Sequence, residues 1–406
     1  MSDNIFSDKT SRRSVFTTYT AFIINGMMAL SIGSLLPFIR DDRGLSYAFA
    51  GLIVSLHSVG NLISSFMSGA LSVWTGRKKS VLIFDFFMPV AYVLILAGKS
   101  NLLLAAAFFL TGIARGANSN YCNAVINDIA PGKAWILNGL HAMFSVGAFL
   151  FPIILSVLTR NGAEGYRTAC VFLLIMGIIS FLLYFFSPGD TVSESGNSPA
   201  GEDDSAGKQA ADRGFGFFRE KIFILTVLTL FFYLCAEQGV IGWMVTYFTD
   251  TGYISSSLSQ ITAGILWIMM LIGRLLTAYL SSRTDKRRLL PFMGGGIVIF
   301  FVLMLFARNP AFIFFCIMGF GFSMAGIYPT TVSFSGDIIK KYALSWSFIL
   351  TLASLGSILM PSVIGRVAER YGISFGISTI AIAVLLDLCF ILMLASAGKK
   401  EINEGA

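Results

Sequence analysis

Charge is what this sequence has least of. Of its 406 residues only 13% are Asp, Glu, Lys or Arg, and only two are histidine. A soluble domain carries roughly 25% charged residues, so a chain solvated by water on all sides is excluded. The two histidines, His57 and His141, stand far apart and offer no paired metal ligands. There is also no nucleotide-binding loop and no nucleophile motif, so no enzyme site assembles and neither a metal nor a cofactor is expected. The five cysteines (Cys122, Cys170, Cys235, Cys316 and Cys389) all lie inside apolar runs. Without metal spacing or loop pairing they read as small buried hydrophobes. A cleavable signal is not expected, because the first apolar run, from about Val15, is too long for one and many more follow.

Apolar residues fill the space that charge leaves: 55% of the chain is hydrophobic, with 38 phenylalanines. A helix crosses a bilayer with about 20 mostly apolar residues. Twelve segments meet that requirement: 15–38, 47–73, 80–97, 102–129, 136–158, 166–186, 222–248, 256–281, 289–306, 310–336, 343–365 and 373–396. The chain is therefore expected to be an all-α membrane protein with twelve transmembrane helices. Its halves are 1–186 and 222–406, joined by 187–221. That joining segment contains "SPGDTVSESGNSPAGEDDSAGKQAADRG", polar and without periodicity, and reads as a disordered linker. Deleting Val192 to Ala211 is expected to leave folding and activity nearly intact, and loss of folded protein on deletion would overturn this.

Lys and Arg set the orientation. With the N-terminus inside, the cytoplasmic loops hold Lys9, Arg12, Arg13, Arg77, Lys78, Lys79, Lys133, the linker cations, Arg283, Lys286, Arg287, Arg288, Lys340, Lys341, Lys399 and Lys400. The other face keeps only Arg40, Arg43, Lys99, Arg160, Arg167, Arg308, Arg366 and Arg370. The positive-inside rule then places both termini and the linker in the cytoplasm, as expected for a multi-pass protein of the plasma (inner) membrane. The net charge of +7 follows from this bias and calls for no nucleic acid.

The halves repeat each other at an offset of 209 residues: Gly33 with Gly242, Asp41 with Asp250, Gly112 with Gly321, Asp128 with Asp337, Gly147 with Gly356, and Pro152 with Pro361. Around the second span the register slips by four, pairing Gly60 with Gly273. Duplicated six-span halves are an architecture of secondary transporters, whose substrate site lies between the halves near mid-membrane.

The stretch "GALSVWTGRKKS", Gly69 to Ser80, resembles the loop motif of the major facilitator superfamily through Gly69, Leu71, Gly76, Arg77 and Lys78. It departs at Val73 and Trp74, where that motif has Asp and Arg. Within the superfamily, "LNGLHAMFSVGAFLFP" (Leu137 to Pro152) and "FFYLCAEQGVIGW" (Phe231 to Trp243) are similar to fucose:proton-symporter-type sugar transporters. The resemblance implies the superfamily fold of two pseudo-symmetric halves, with spans 1, 4, 7 and 10 lining a central cavity. It also implies carboxylates in spans 1 and 4. This chain has none in span 1, and Arg115 stands at about the place of the span-4 glutamate.

An ionisable group at the bilayer centre costs roughly 2.5–3.5 kcal/mol on insertion scales, so it faces protein or a wet cavity. Helical spacing puts Arg115, Asn118, Ser119 and Cys122 on one face of span 4, with Asn120, Asn123 and Asn127 beside them. This span must line the cavity or pair within its own half. Glu237, midway along span 7, is the candidate proton-coupling carboxylate; its alternative is a structural partner for Arg115. Candidate substrate contacts are Arg115, Asn118, Asn25, Gln238, Tyr233, Trp243, Tyr328, Thr331 and His141. Gly69, Gly76, Arg77, Arg274, Asp128 and Asp337 read as gating or structural residues. His57 reads as packing in span 2, and Asp85 and Asp387 have no assigned role.

The expected function is alternating-access transport of a small polar solute, a sugar or sugar-like compound, coupled to protons, by a monomer. An organic-anion carrier using Arg115 and Arg274 is the alternative within transporters. Outside that class stands a non-transporting membrane receptor or scaffold, which need not keep a polar cavity.

Overall fold

The computed structural model describes residues 9–131, 133–187, 214–281, 283–342 and 344–404. The described residues form helices without strands, and twelve of the resulting segments are long and apolar enough to span a membrane. The first six spans are α1 (Lys9–Arg43), α2 (Tyr47–Thr75), the pair α3 (Arg77–Asp85) and α4 (Phe87–Ala97), α5 (Asn101–Ile129), α6 (Ala134–Leu158) and α7 (Gly165–Phe185). The last six are α8 (Lys221–Thr251), α9 (Ser256–Ser281), α10 (Lys286–Phe306), the pair α11 (Pro310–Met324) and α12 (Ile327–Phe334), α14 (Ser345–Tyr371) and α15 (Ile373–Glu404), with short α13 (Gly336–Lys341) between spans 10 and 11.

Two spans are broken, and proline explains where. A proline inside a helix removes the hydrogen bond to the carbonyl four residues back and crowds it. Pro89 does this to Asp85, the last residue of α3, and Pro329 does it to Ala325, in the gap between α11 and α12.

The chain packs as two units, Met1–Leu35 with Leu56–Ala206, and Leu36–Ser55 with Gly207–Ala406. The division differs from chain order in one place: the hairpin joining α1 and α2 packs with the last six spans.

The repeated glycines are helix crossings. In the first unit Gly147 of α6 lies against the Ile23 carbonyl of α1, and Gly112 of α5 against the His57 carbonyl of α2. Gly60 of α2 meets the Phe109 carbonyl of α5 in return. The second unit repeats all three. Gly356 of α14 lies against the Phe231 carbonyl of α8. A Cβ on Gly321 of α11 would fall 2.7 Å from the Leu266 carbonyl oxygen of α9, and one on Gly273 of α9 would fall 2.6 Å from that of Phe322. Small residues let membrane helices approach backbone to backbone, where packing rather than water exclusion drives association. The duplication seen in sequence is thus a repeat of contacts.

Of the segment expected to be a linker, 188–213 lie outside the described residues. Its last part is folded. A 3-10 turn, Gly216–Arg219, inserts fully buried Phe217 among Phe223, Phe348 and Tyr342, with ring centroids 4.8, 5.5 and 5.8 Å away. Glu220 then accepts from Lys341 Nζ at 3.1 Å, and this bond raises the lysine's pKa above its ordinary value. At the other end of the segment the Phe186 and Ser187 carbonyls accept from Arg13 and Lys78 at 2.9 and 2.7 Å. Phe217→Ala empties a filled aromatic site and is expected to cost about 3–5 kcal/mol of stability. Thermal unfolding in detergent reads this, and an unchanged Tm would show that Phe217 anchors nothing.

Candidate functional site

In the first unit the polar face of α5 is mostly satisfied from neighbouring helices. Asn118, fully buried, donates to Asp85 Oδ1 of α3 at 3.3 Å and reaches Ser180 Oγ of α7 at 3.5 Å. Asp85 thereby acquires a role: it is an internal acceptor between α3, α5 and α7, adjoined by Cys122, whose sulfur lies 3.2 Å from the Tyr184 hydroxyl. Asn120 donates to the Ser65 carbonyl and Ser68 Oγ of α2 at 3.2 and 3.0 Å. Asn25 of α1, also fully buried, donates to Ser119 Oγ at 3.4 Å, while its Oδ1 has no hydrogen-bond partner among the described residues. His57 packs as expected, with Nδ1 2.9 Å from Thr111 Oγ1.

Arg115 is half-buried, and its guanidinium carbon lies 5.7 Å from the centroid of Phe144 on α6. Phe144 packs on Phe22 of α1 at 5.5 Å, and Phe22 meets exposed His141 edge-on at 5.8 Å. Arg115 and His141 thus stand at two ends of one aromatic group built from α1, α5 and α6. Phe22 and Phe144 escape a search of the sequence for polar residues, because an apolar residue in a span carries no signal of its own.

In the second unit the group is centred on α8. The Tyr233 hydroxyl donates to Glu237 Oε1, one helical turn on, at 2.9 Å. Tyr233 is buried, Glu237 and Gln238 are half-buried, and Tyr328 of α12 lies 6.3 Å from the Tyr233 ring. Arg274 of α9 lies 5.9 Å from the Trp267 ring, and Thr331 is fully buried on α12. The group joins two aromatic hydroxyls and a carboxylate in mid-span. It can offer donors and acceptors to a hydroxylated solute and an ionisable oxygen to a proton.

Other residues named from the sequence fall elsewhere. Trp243 is fully buried, with Nε1 donating to the Pro361 carbonyl of α14 at 3.1 Å, which ties two spans together. Arg77 pairs with Asp128, and Gly76 before it has φ of 80°, a conformation that favours glycine. A Cβ on Gly69 would only touch Asn120 at 3.7 Å. The repeat sets Lys286 and Asp337 where Arg77 and Asp128 stand, yet Lys286 donates instead to the Ser333 carbonyl at 2.8 Å and Asp337 is exposed.

Comparison with known proteins agrees with this architecture. The sequence profile of the Major Facilitator Superfamily matches residues 18–361. A TsgA homolog of Yersinia pseudotuberculosis serotype O:1b (strain IP 31758) is 22% identical over 376 residues, covering 90% of this chain and 91% of that protein. Among solved structures, a bacterial homolog of the human lysosomal transporter Spinster, inward-facing and occupied, superposes with a TM-score of 0.77 at 13% identity, over 96% of this chain and 97% of that one. The nucleoside transporter NupG, as a point mutant, gives 0.74 at 14% identity over 95% and 98%. A D-xylose-proton symporter gives 0.73 at 13% identity over 95% and 97%. Identities this low speak to the fold alone, and both fold and family are those of transporters. From its twelve spans, its duplicated crossings and a family profile that covers most of its length, this chain belongs to the Major Facilitator Superfamily.

Proposed function

We propose that the protein is a secondary active transporter that moves a sugar or sugar-like solute by alternating access, coupled to protons through Glu237. In this reading it works as a monomer in the plasma (inner) membrane with both termini cytoplasmic. The observation that carries the reading is the Tyr233–Glu237 hydrogen bond in mid-span on α8, with the Tyr328 ring 6.3 Å from that of Tyr233. Tyrosine hydroxyls and a carboxylate suit a polyhydroxylated solute, and an ionisable group held in a span is a functional candidate by default. Two proteins of similar fold are described as a D-xylose-proton symporter and a nucleoside transporter, solutes that contain sugar rings.

Arg115 favours a second reading, a carboxylate substrate. Its guanidinium, half-buried in α5, has the fork geometry that carboxylates match. Uptake into proteoliposomes, sugars against carboxylates, with and without a pH gradient, separates the two. Uptake of neither class would sink both.

A further inference from the structure

The sequence repeat pairs Asp41 with Asp250, and neither has a place in the groups above. Each stands in the last turn of a helix, Asp41 in α1 and Asp250 in α8. The helix dipole disfavours a carboxylate there, so both need a cation, and one arginine serves the two. Arg40 Nη2 donates to Asp41 Oδ1 at 2.7 Å, and Nε reaches the same oxygen at 3.2 Å. Towards Asp250, Nη2 donates to Oδ1 at 2.9 Å and Nη1 bonds Oδ2. Tyr47, the first residue of α2, adds its hydroxyl to Asp250 Oδ2 at 2.7 Å, and the guanidinium lies 4.5 Å from its ring centroid. The Arg40 and Asp250 side chains are only 12% and 10% exposed, whereas Asp41 is 62% exposed.

Beside this clamp the hairpin lies backbone to backbone on α14. A Cβ on Gly51 would sit 2.5 Å from the Pro361 carbonyl oxygen and 3.2 Å from Gly365 Cα. One on Gly365 would meet the Tyr47 carbonyl and lie 3.1 Å from Gly51 Cα. Ser55 and Ser362 hydroxyls are 2.7 Å apart, and the Ala48 amide donates to Glu369 at 3.3 Å.

We propose that the Leu36–Ser55 hairpin is a latch that docks on α8 and α14 at the membrane face opposite the termini. Arg40 is its handed-over cation: both repeat-related aspartates hold it when the latch is docked, and Asp41 alone holds it when the latch is free. The proposal rests on the alternating-access reading, which requires a closure of this kind to open. A guanidinium keeps its proton at every working pH and needs acceptors throughout. Because Arg40 is bonded in advance to the aspartate it travels with, undocking never strands it. Asp250 gives up its donors as it gains water. The glycine contact adds close packing without a side chain that would have to be threaded out.

The two aspartates should then act with opposite sign, although the repeat makes them equivalent. The test uses Ser362→Cys in a Cys389→Ser parent, since Cys389 is the exposed cysteine and the other four are buried. Alkylation by a polar maleimide in nanodiscs reads the undocked fraction, because docking covers position 362 with Ser55. Asp250→Asn and Arg40→Gln are expected to speed alkylation by about tenfold or more, as a half-broken buried pair demands. Tyr47→Phe, which removes one neutral donor and leaves the fold least disturbed, should speed it by about threefold. Asp41→Asn should slow it, because the free state loses the carboxylate that Arg40 is already bonded to while docked Arg40 keeps Asp250. Aspartate changes that move the rate in the same direction would overturn the latch, as would a Tyr47→Phe rate equal to the parent's. Rates that respond as stated in a protein that moves no solute would uphold the latch and sink the transport reading.

Discussion

In Glu237→Gln, solute exchange across a proteoliposome membrane is expected to persist while accumulation driven by a pH gradient disappears. The amide keeps the shape of the side chain and an oxygen that can accept the Tyr233 hydroxyl, now found 2.9 Å from Oε1. It cannot bind or release a proton in the working range. Binding contacts survive, and only the link to the gradient is cut. One pH unit holds about 1.4 kcal/mol per proton, enough for about tenfold accumulation at one proton per solute. That tenfold is the expected loss. Accumulation in Glu237→Gln equal to wild type would assign the proton elsewhere. Asp387 stands next, 1% exposed with an Oδ1 that has no hydrogen-bond partner among the described residues, followed by Asp85.

Arg115→Gln divides the two substrate classes more sharply. For an anionic solute the variant removes the charged partner, and affinity should fall by about 30-fold to 1,000-fold, the cost of breaking a hydrogen-bonded charge pair. Arg115→Lys should recover part of it, because an ammonium keeps the charge but loses the planar fork. For a neutral sugar, affinity in Arg115→Gln should stay within about threefold of wild type, the scale of one ordinary hydrogen bond. Equilibrium binding by calorimetry, once a solute is found by the uptake screen, reads the difference. A thermal shift with no change in affinity would leave Arg115 as a packing partner of Phe144.

The architecture is legible in the sequence because bilayer solvent leaves few choices. Every backbone polar group must be satisfied within a span, so apolar length alone marks the helices. Their ends are less legible: α1 runs from Lys9 to Arg43, well past the apolar segment 15–38, since a helix continues into polar surroundings with no apolar signal. The broken third span is another case, for Pro89 is plain in the sequence while apolar length alone hides the break it causes at Asp85. The glycine pairs show the same limit. Their spacing reveals a duplication, while the fact that Gly112 meets the carbonyl of His57 depends on which helix lies opposite.

The site is legible only in part, for a related reason. Helical periodicity says which residues share a face, not what the face meets. Asn118 shares a face with Arg115, yet it turns to Asp85 and Ser180. Trp243 reads as a candidate substrate contact, and its indole N–H fastens α8 to α14, a bond its place on the helix does not announce. Arg40 reads as one charge at a loop, and its partner Asp250 lies 210 residues further along the chain. No local pattern can announce a contact over that separation.

The glycine crossings also bear on how force passes through each six-helix bundle. Packed side chains absorb a small displacement by changing rotamer. A glycine against a carbonyl has no rotamer to change. Where Gly147 rests on the Ile23 carbonyl, and Gly356 on that of Phe231, a push on one helix must move the backbone of the next. Such crossings work like rigid couplings in a linkage, so that a displacement applied at one end of α8 reaches α14 with little lost to slack.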